Sequence, residues 1–193
     1  MKKIVVINGH PDQESFNSGI ADSYINAAIA AGAEVRYIAI GKLNFNPSLQ
    51  FGYRQRMELE PDLVKALEDL QWSDHQVWIH PVWWLGMPAI MKGFFDRAFL
   101  PGITFKSDKK GGSEGLLNAK SARIITTAGD LSLKTYEEEY QSSGLIQLKK
   151  GILEYCGILT IESHFIGPLY EFNEKERKEW LNTISGLAIT DSL

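Results

Sequence analysis

Cysteine is almost absent from this sequence, since Cys156 is the only one among 193 residues. A lone cysteine excludes an intrachain disulfide framework and fits a reducing compartment. Cys156 lies in an apolar helical pattern with Ile152 and Leu153, and no neighbouring residue suggests an activated thiol. We therefore interpret it as a packing residue and not as a nucleophile.

Long hydrophobic runs and an excess of positive charge are also missing. No segment reaches the roughly 18 apolar residues that cross a bilayer. The apolar run after Lys2 and Lys3 is too short for a secretory signal. The net charge of −4 comes without a basic stripe, which argues against nucleic acid as the main partner. The sequence thus predicts a cytoplasmic protein with no membrane insertion.

Several signatures of catalysis are absent as well. The chain has no GxGxxG or Walker sequence and no GxSxG. Its histidines show no ligand pair at helical spacing, so we predict no metal site; they are His10, His75, His80 and His164. The acidic run at Glu137–Glu139 lacks interleaved ligand types and indicates a solvated helix face.

What the sequence does contain is a regular alternation of strand-like and helix-like segments. Strands are predicted at Ile4–Ile7, Glu34–Ile40, Val77–Ile79, Ala122–Thr127 and Leu159–Ile166, and helices at Phe16–Ala31, from Pro61, from Pro88, at Ser142–Gly157 and at Asn173–Leu187. The alternation predicts an α/β fold with a five-stranded parallel sheet covered on both faces, in the flavodoxin-like strand order. No linker is evident, so we expect one domain over residues 1–193.

Two stretches fit no regular element. Residues 41–60 predict a surface excursion with a turn at Asn44–Pro47, and residues 101–115 predict a second loop that is polar at Asp108–Gly112.

In an open parallel sheet, the loops after strands one, three and four meet at one edge. The first of them, Gly9–Asn17, leads into a helix start that favours phosphate, with Ser15 and Asn17 as donors. Ser15 could instead do no more than cap the helix. The third loop, Thr126–Gly129, has hydroxyls and a small turn through which backbone amides could approach a ring, although threonine is also an ordinary strand former.

The middle loop carries two adjacent tryptophans, Trp83 and Trp84, before the helix that Pro88 opens. Aromatic rings at this position suit a flat aromatic ligand, or they could simply cap the core. A site with rings, amides and hydroxyls but few charges favours a cofactor that carries out the chemistry itself.

These loops resemble a known family. HPVWWLGMPAIMKGFFDRAF, at residues 80–99, is similar to the flavin-contacting segment of the NAD(P)H:quinone reductases of flavodoxin-like fold, which include DT-diaphorase and the drug-activity modulators. GHPDQESFNSG, at residues 9–19, resembles the first loop of that family. Further segments follow in the family's order, so that the resemblance covers nearly the whole chain; they are Asn44–Pro47, Gly115–Thr127, Lys150–Gly157 and Ile166–Pro168.

The resemblance implies a flavin-dependent NAD(P)H:acceptor oxidoreductase. NAD(P)H would give hydride to the flavin, and a quinone, nitro or azo compound would then take it in a ping-pong scheme. The resemblance favours FAD, with FMN as the alternative, because it extends to Asn44–Pro47 and to Arg177. A homodimer is implied because the family completes its pocket across a two-fold interface.

The resemblance also implies which residues contact the flavin. The phosphates and the ribityl chain would be held by His10, Ser15, Phe16 and Asn17, the isoalloxazine by Val82, Trp83, Trp84 and Leu85, its other edge by Thr126, Thr127, Ala128 and Gly129, and the adenine half by Arg177.

The loop after Gly129 departs from the family. The best-known members carry a tyrosine and a histidine there that assist hydride transfer, whereas this loop has no histidine and Tyr136 aligns only approximately. Tyr136 is thus the catalytic candidate, with a surface aromatic beside a helix as its alternative role. Backbone amides could serve the flavin instead.

Two other functions stay open at this point. Some relatives are cytoplasmic regulatory subunits of potassium-efflux systems, and others are one-electron flavodoxin carriers. The carriers have a phosphate loop rich in hydroxyl residues, which is absent from Gly9–Asn17. The choice between NADH and NADPH also stays open.

Overall fold

The computed structural model describes residues 1–107, 113–117, 119 and 121–193. Within these residues seven strands form: β1 Lys3–Asn8, β2 Glu34–Ala39, β3 His75–Pro81, β4 Phe105–Ser107, β5 Ser113–Gly115, β6 Ser121–Thr127 and β7 Thr160–Ile166. Five of them make one parallel sheet in the order β2-β1-β3-β6-β7. The predicted α/β fold with a five-stranded parallel sheet is confirmed.

Six helices accompany the strands in the described parts of the chain: α1 Phe16–Ala30, α2 Pro61–Trp72, α3 Ala89–Ala98, α4 Leu133–Glu138, α5 Ser143–Leu148 and α6 Glu174–Ser192. Their starts follow local sequence. Pro61 opens α2, and Asn173 and Glu176 form a reciprocal capping box at α6. None of these helices is long and apolar enough to cross a membrane.

Helices cover both faces of the sheet, and successive side chains of a strand point to opposite faces. Trp78 of β3 packs in one apolar cluster with α2, α3 and α5. Its neighbours Val77 and Ile79 pack in a second cluster with α1 and α6. The chain therefore forms three layers, and the central strands are apolar on both faces as parallel strands require.

The second predicted loop and the fourth predicted helix differ from the expectation. Residues 101–115 include the antiparallel hairpin of β4 and β5, whose three-residue strands are too short for a periodic pattern. Asp108–Gly112 lie outside the described residues. The helix over 142–157 is α-helical only at α5 and continues as a π-helix at Lys149–Glu154.

The excursion over residues 41–60 is held on the body by Arg97 of α3. Its guanidinium donates to the carbonyl oxygens of Asn46 and of Glu58 (2.8 Å) and pairs with the Glu60 carboxylate at 2.8 Å. Arg97 is 1% exposed. Its burial and these contacts show that it anchors the excursion.

The last turn of α6 is tied to the sheet by Asp191. Its carboxylate accepts hydrogen bonds from Arg123 of β6, at 2.6 and 2.7 Å, and from the Tyr24 hydroxyl of α1 at 2.7 Å. His75 of β3 lies 3.3 Å from the same group. Although burial opposes ionisation of this carboxylate, the hydrogen bonds from Arg123, His75 and Tyr24 outweigh it and hold the pKa of Asp191 well below its usual range.

Replacing Asp191 with Asn should lower the free energy of unfolding by about 3–5 kcal/mol, because the Arg123 guanidinium would remain buried without its counter-charge. Urea unfolding at neutral pH measures the change. Glu179→Gln is the matched control, since Glu179 of the same helix pairs with Lys175 in solvent and should contribute less than about 1 kcal/mol. Equal losses in the two variants would contradict the assignment.

Candidate functional site

The three predicted loops meet at the carboxyl edge of the sheet. The Gly9 amide donates to the Ile79 carbonyl at 2.8 Å, and the Val82 amide donates to the Thr127 carbonyl at 2.7 Å. These two bonds extend the β1–β3 and β3–β6 ladders by one residue and place the loops side by side. Neighbouring parallel strands are about 4.8 Å apart, so the three loops form one continuous surface.

The first loop is built on Asn8, a buried residue that the sequence analysis did not single out. Its side-chain oxygen Oδ1 accepts a hydrogen bond from the backbone amide of His10 at 2.9 Å, and its side-chain nitrogen Nδ2 donates to the Ser18 hydroxyl at 3.1 Å. Asn8 thus fixes both ends of the loop. An isolated asparagine at the end of a strand carries no distinctive pattern, which explains why sequence reasoning missed it.

The start of α1 offers donors that the protein itself does not use. Ser15 is the N-cap, as expected, and the first turn contains no acidic residue. The Asn17 carbonyl oxygen accepts from the Thr127 hydroxyl at 2.8 Å, whereas its amide nitrogen is buried without a partner. The amide nitrogen of Gln13 is likewise buried and unpartnered. Unmet donors at a helix N-terminus favour an anion.

His10 is poised as a neutral donor in the same loop. Its Nδ1 accepts from the Asp12 amide at 3.0 Å, so the proton of the neutral ring is on Nε2. Partial burial lowers the pKa of His10, against a smaller opposite effect of Asp12. The ring meets Trp83 edge-on at 5.4 Å, which joins the first loop to the second.

Trp83 to Gly86 form a two-residue turn, closed by hydrogen bonds between Trp83 and Gly86 at 2.9 and 3.0 Å. Trp84 and Leu85 at its tip both have left-handed backbone, with φ of 51° and 63°. The Trp84 side chain is fully exposed and Trp83 is 45% exposed. Trp84 therefore covers no part of the core, contrary to the alternative interpretation, and presents a free ring surface on the loop that Trp83 joins to His10 of the first loop.

The third loop is closed by a residue that the sequence did not suggest. Thr126, Thr127 and Ala128 are buried, and the Ala128 amide is already paired with Ile166 at 3.0 Å. The Tyr170 ring packs over Gly129, where a side chain would come within 2.7 Å of it. Tyr170 remains 82% exposed. Tyr170 lies in the segment that follows β7, and no motif near Gly129 predicts that the two residues are in contact.

Arg177 of α6 reaches the first loop although 160 positions separate them. Its guanidinium lies 5.4 Å from the centre of the Phe16 ring and donates to the Leu169 carbonyl at 2.6 Å. This places a cation beside the start of α1. The remaining ring candidate, Val82, is partly buried at the base of the turn.

Tyr136 lies behind the Trp83–Gly86 turn. It is 2% exposed, so the alternative of a surface aromatic is wrong. Its hydroxyl accepts from the Leu145 amide at 2.9 Å, and its ring stacks on Phe165 with centroids 5.2 Å apart. Burial raises the pKa of Tyr136, and the amides of Leu145 and Gly144 oppose the rise. Glu137–Glu139 are exposed as predicted.

The donor set matches a nucleotide with a flat ring system. Asn17 and Gln13 supply buried amide donors, His10 supplies a neutral N–H, and α1 supplies the positive end of its dipole for phosphates. Trp84 supplies an aromatic face. The residues therefore fit a flavin nucleotide.

Comparison with known proteins agrees with this geometry. The profile of the flavodoxin-like fold matches residues 2–185. An uncharacterised NAD(P)H oxidoreductase of Haemophilus influenzae is 29% identical over 90% of this chain and 88% of its own length. NAD(P)H dehydrogenase [quinone] 1 of Rattus norvegicus is 24% identical over 86% of this chain and 69% of its own.

A solved structure, Smu.1420 of Streptococcus mutans UA159, is 30% identical and superposes with a TM-score of 0.81 over 98% of this chain and 100% of its own. The fold and the site thus define a flavodoxin-like protein. The chain belongs to the flavodoxin-like fold family, and its homologues include NAD(P)H quinone oxidoreductases.

His80, at the base of the Trp83–Gly86 turn, makes stability depend on pH. It is buried, its Nδ1 donates to the Pro81 carbonyl at 3.0 Å and its Nε2 has no partner. Burial lowers the pKa of His80 to about 4. Between the unfolded pKa near 6.5 and this value the unfolded chain binds the extra proton, so stability falls as the pH falls.

Through His80, the free energy of unfolding should fall by about 3 kcal/mol as the pH falls from 6.5 to 4. Urea unfolding of the wild type and of His80→Phe over this range measures it, because phenylalanine keeps a planar ring that does not titrate. The acid-side slope should be smaller in His80→Phe. Parallel pH profiles of the two proteins would show that His80 does not titrate as described.

Proposed function

We propose that this protein is a flavin-dependent NAD(P)H:acceptor oxidoreductase with a quinone as acceptor. One observation carries the proposal: the loop with the exposed ring of Trp84 contacts, through Trp83 and His10, the loop that leads into a helix N-terminus whose buried donors Asn17 and Gln13 lack partners. A flat ring joined to a phosphate would satisfy both features at once. The quinone-reductase names among the relatives support the choice of reaction.

In this proposal the first loop binds the phosphate and ribityl part of the flavin. The Asn17 and Gln13 amides and the His10 Nε2–H donate to it, and the first-turn amides of α1 face its negative charge. Ser15 and Phe16 shape the same surface. A neutral His10 donates a hydrogen bond without adding a charge that would tie the affinity to salt concentration.

Trp83 to Leu85 and the end of β6 would hold the ring system. Trp84 offers its face, while Val82, Thr126 and Thr127 form the base between the loops. When bound, the flavin supplies a group that accepts hydride from NAD(P)H and passes two electrons to a quinone, nitro or azo compound. NAD(P)H and the acceptor would share one pocket in turn, which is a ping-pong scheme.

Arg177 supports FAD as the cofactor, with FMN as the alternative. Its guanidinium lies next to Phe16 and close to the start of α1, where the second half of a dinucleotide would extend. By the same resemblance we propose a cytoplasmic homodimer. Sedimentation of the flavin-loaded protein tests whether it is a dimer, and the mass of a monomer would contradict this part of the proposal.

The absorption spectrum of the purified protein, followed by release and identification of the chromophore, tests the function. We expect bands near ~450 nm that bleach with NAD(P)H and recover on addition of a quinone. The released compound decides between FAD and FMN. A colourless protein that takes up neither flavin would contradict the proposal, and a stable blue semiquinone would favour a one-electron carrier instead.

Replacing Trp84 with Ala should weaken flavin binding about fivefold or more, since ring stacking contributes on the order of 1 kcal/mol beyond buried area. Quenching of flavin fluorescence measures the dissociation constant. Leu159→Ala is the control, because Leu159 is 77% exposed and directly precedes β7, at the opposite edge of the sheet from the three loops. If both variants retain flavin as the wild type does, Trp84 does not contact the ring.

A further inference from the structure

Left-handed backbone outside glycine is confined, in the described parts of the chain, to two pairs of neighbours. Trp84 and Leu85 form one pair, and Gln141 and Ser142, with φ of 52° and 49°, form the other. Residues without a glycine's freedom hold such backbone only where their surroundings impose it, and such sites concentrate where function needs a fixed geometry.

The Trp83–Gly86 turn rests on Gly144, two residues beyond the second pair. Gly144 is buried, and a methyl group on its Cα would collide with the Leu85 carbonyl oxygen. The same methyl group would come within 3.2 Å of the Gly86 Cα and 3.1 Å of the Tyr136 hydroxyl oxygen. The turn that carries Trp84 therefore lies directly on the backbone of α5, with no side chain between them.

Tyr136 holds this part of α5 in place from behind. Its hydroxyl accepts from the Leu145 amide at 2.9 Å, and its own carbonyl accepts from the Ser142 amide at 2.8 Å. The ring is stacked on Phe165 of β7 at an interplanar angle of 24°. A continuous chain of contacts thus runs from the sheet through Tyr136 and Gly144 to the turn.

We propose that Gly144 and Tyr136 are positioning residues that fix the Trp83–Gly86 turn and, through it, the ring face of Trp84 that flavin binding uses. The flavin part of this inference rests on the proposed function; the support of the turn does not. Tyr136 then acts through the backbone of α5 and does not exchange a proton with the flavin.

Gly144→Ala and Gly151→Ala form a matched pair of variants. Both glycines lie in the same helical stretch, but a methyl group at Gly151 would have no atom within 4 Å. In the flavin-free protein, the indole N–H resonances of Trp83 and Trp84 should shift in Gly144→Ala and stay unchanged in Gly151→Ala. Unshifted resonances in a folded Gly144→Ala would overturn the proposal.

Titration with FMN and with FAD measures the consequence for binding. We expect Gly144→Ala to raise the dissociation constant of either flavin about tenfold and Gly151→Ala to leave it within twofold. If the wild type binds neither flavin, the proposed function fails, and the tryptophan resonances still decide whether Gly144 supports the turn. If the wild type binds and the two variants match it, the positioning role fails alone.

Tyr136→Phe distinguishes a positioning role of Tyr136 from a catalytic one. It also tests the proposal if Gly144→Ala does not fold. It keeps the ring on Phe165 and removes only the hydroxyl that holds the Leu145 amide. We expect a dissociation constant raised about threefold, with the pH profile of the reduction rate unchanged at saturating flavin. Unaltered flavin affinity together with a slowed or pH-shifted reduction would overturn the proposal in favour of a catalytic Tyr136.

Discussion

The buried hydrogen bond from the Thr127 hydroxyl to the Asn17 carbonyl oxygen joins the end of β6 to the start of α1. It decides which way the Asn17 amide faces, because the oxygen is taken and the nitrogen is left without a partner. A buried donor that lacks a partner costs about 1–3 kcal/mol. The fold tolerates that cost where a ligand can supply the acceptor, and the rest of the candidate site is arranged around this one donor.

The site uses dipoles and neutral donors more than charges. Burial lowers the pKa of His10, the first turn of α1 has no acidic residue, and the Arg177 guanidinium lies over the Phe16 ring. A bound flavin would carry the reaction itself, so the protein needs to orient it and not to supply strong acids or bases. The orientation of the flavin would in turn depend on the Trp83–Gly86 turn, whose left-handed residues Trp84 and Leu85 are supported by the backbone of Gly144.

Sequence reasoning reached the sheet and the three loops because strand periodicity and strand order are local and regular. It missed Asn8 because an isolated asparagine at the end of a strand has no distinctive pattern. It missed Gly144 and Tyr170 because each lies against a distant segment, Gly144 under Leu85 and Tyr170 over Gly129. Arg97 shows the same limit, because a charged residue in an amphipathic helix gives no sign that it binds carbonyls about 40–50 positions away. Pairings across the fold, and not residue types, set these roles.

A crystal structure of the protein grown with FAD or FMN tests the central claim most directly. The account predicts the flavin phosphate at the start of α1, in contact with Asn17 and Gln13, and the ring system against Trp84. A flavin bound elsewhere, for instance in the groove that Phe95, Phe99 and Tyr155 line between α3 and the π-helix, would contradict it.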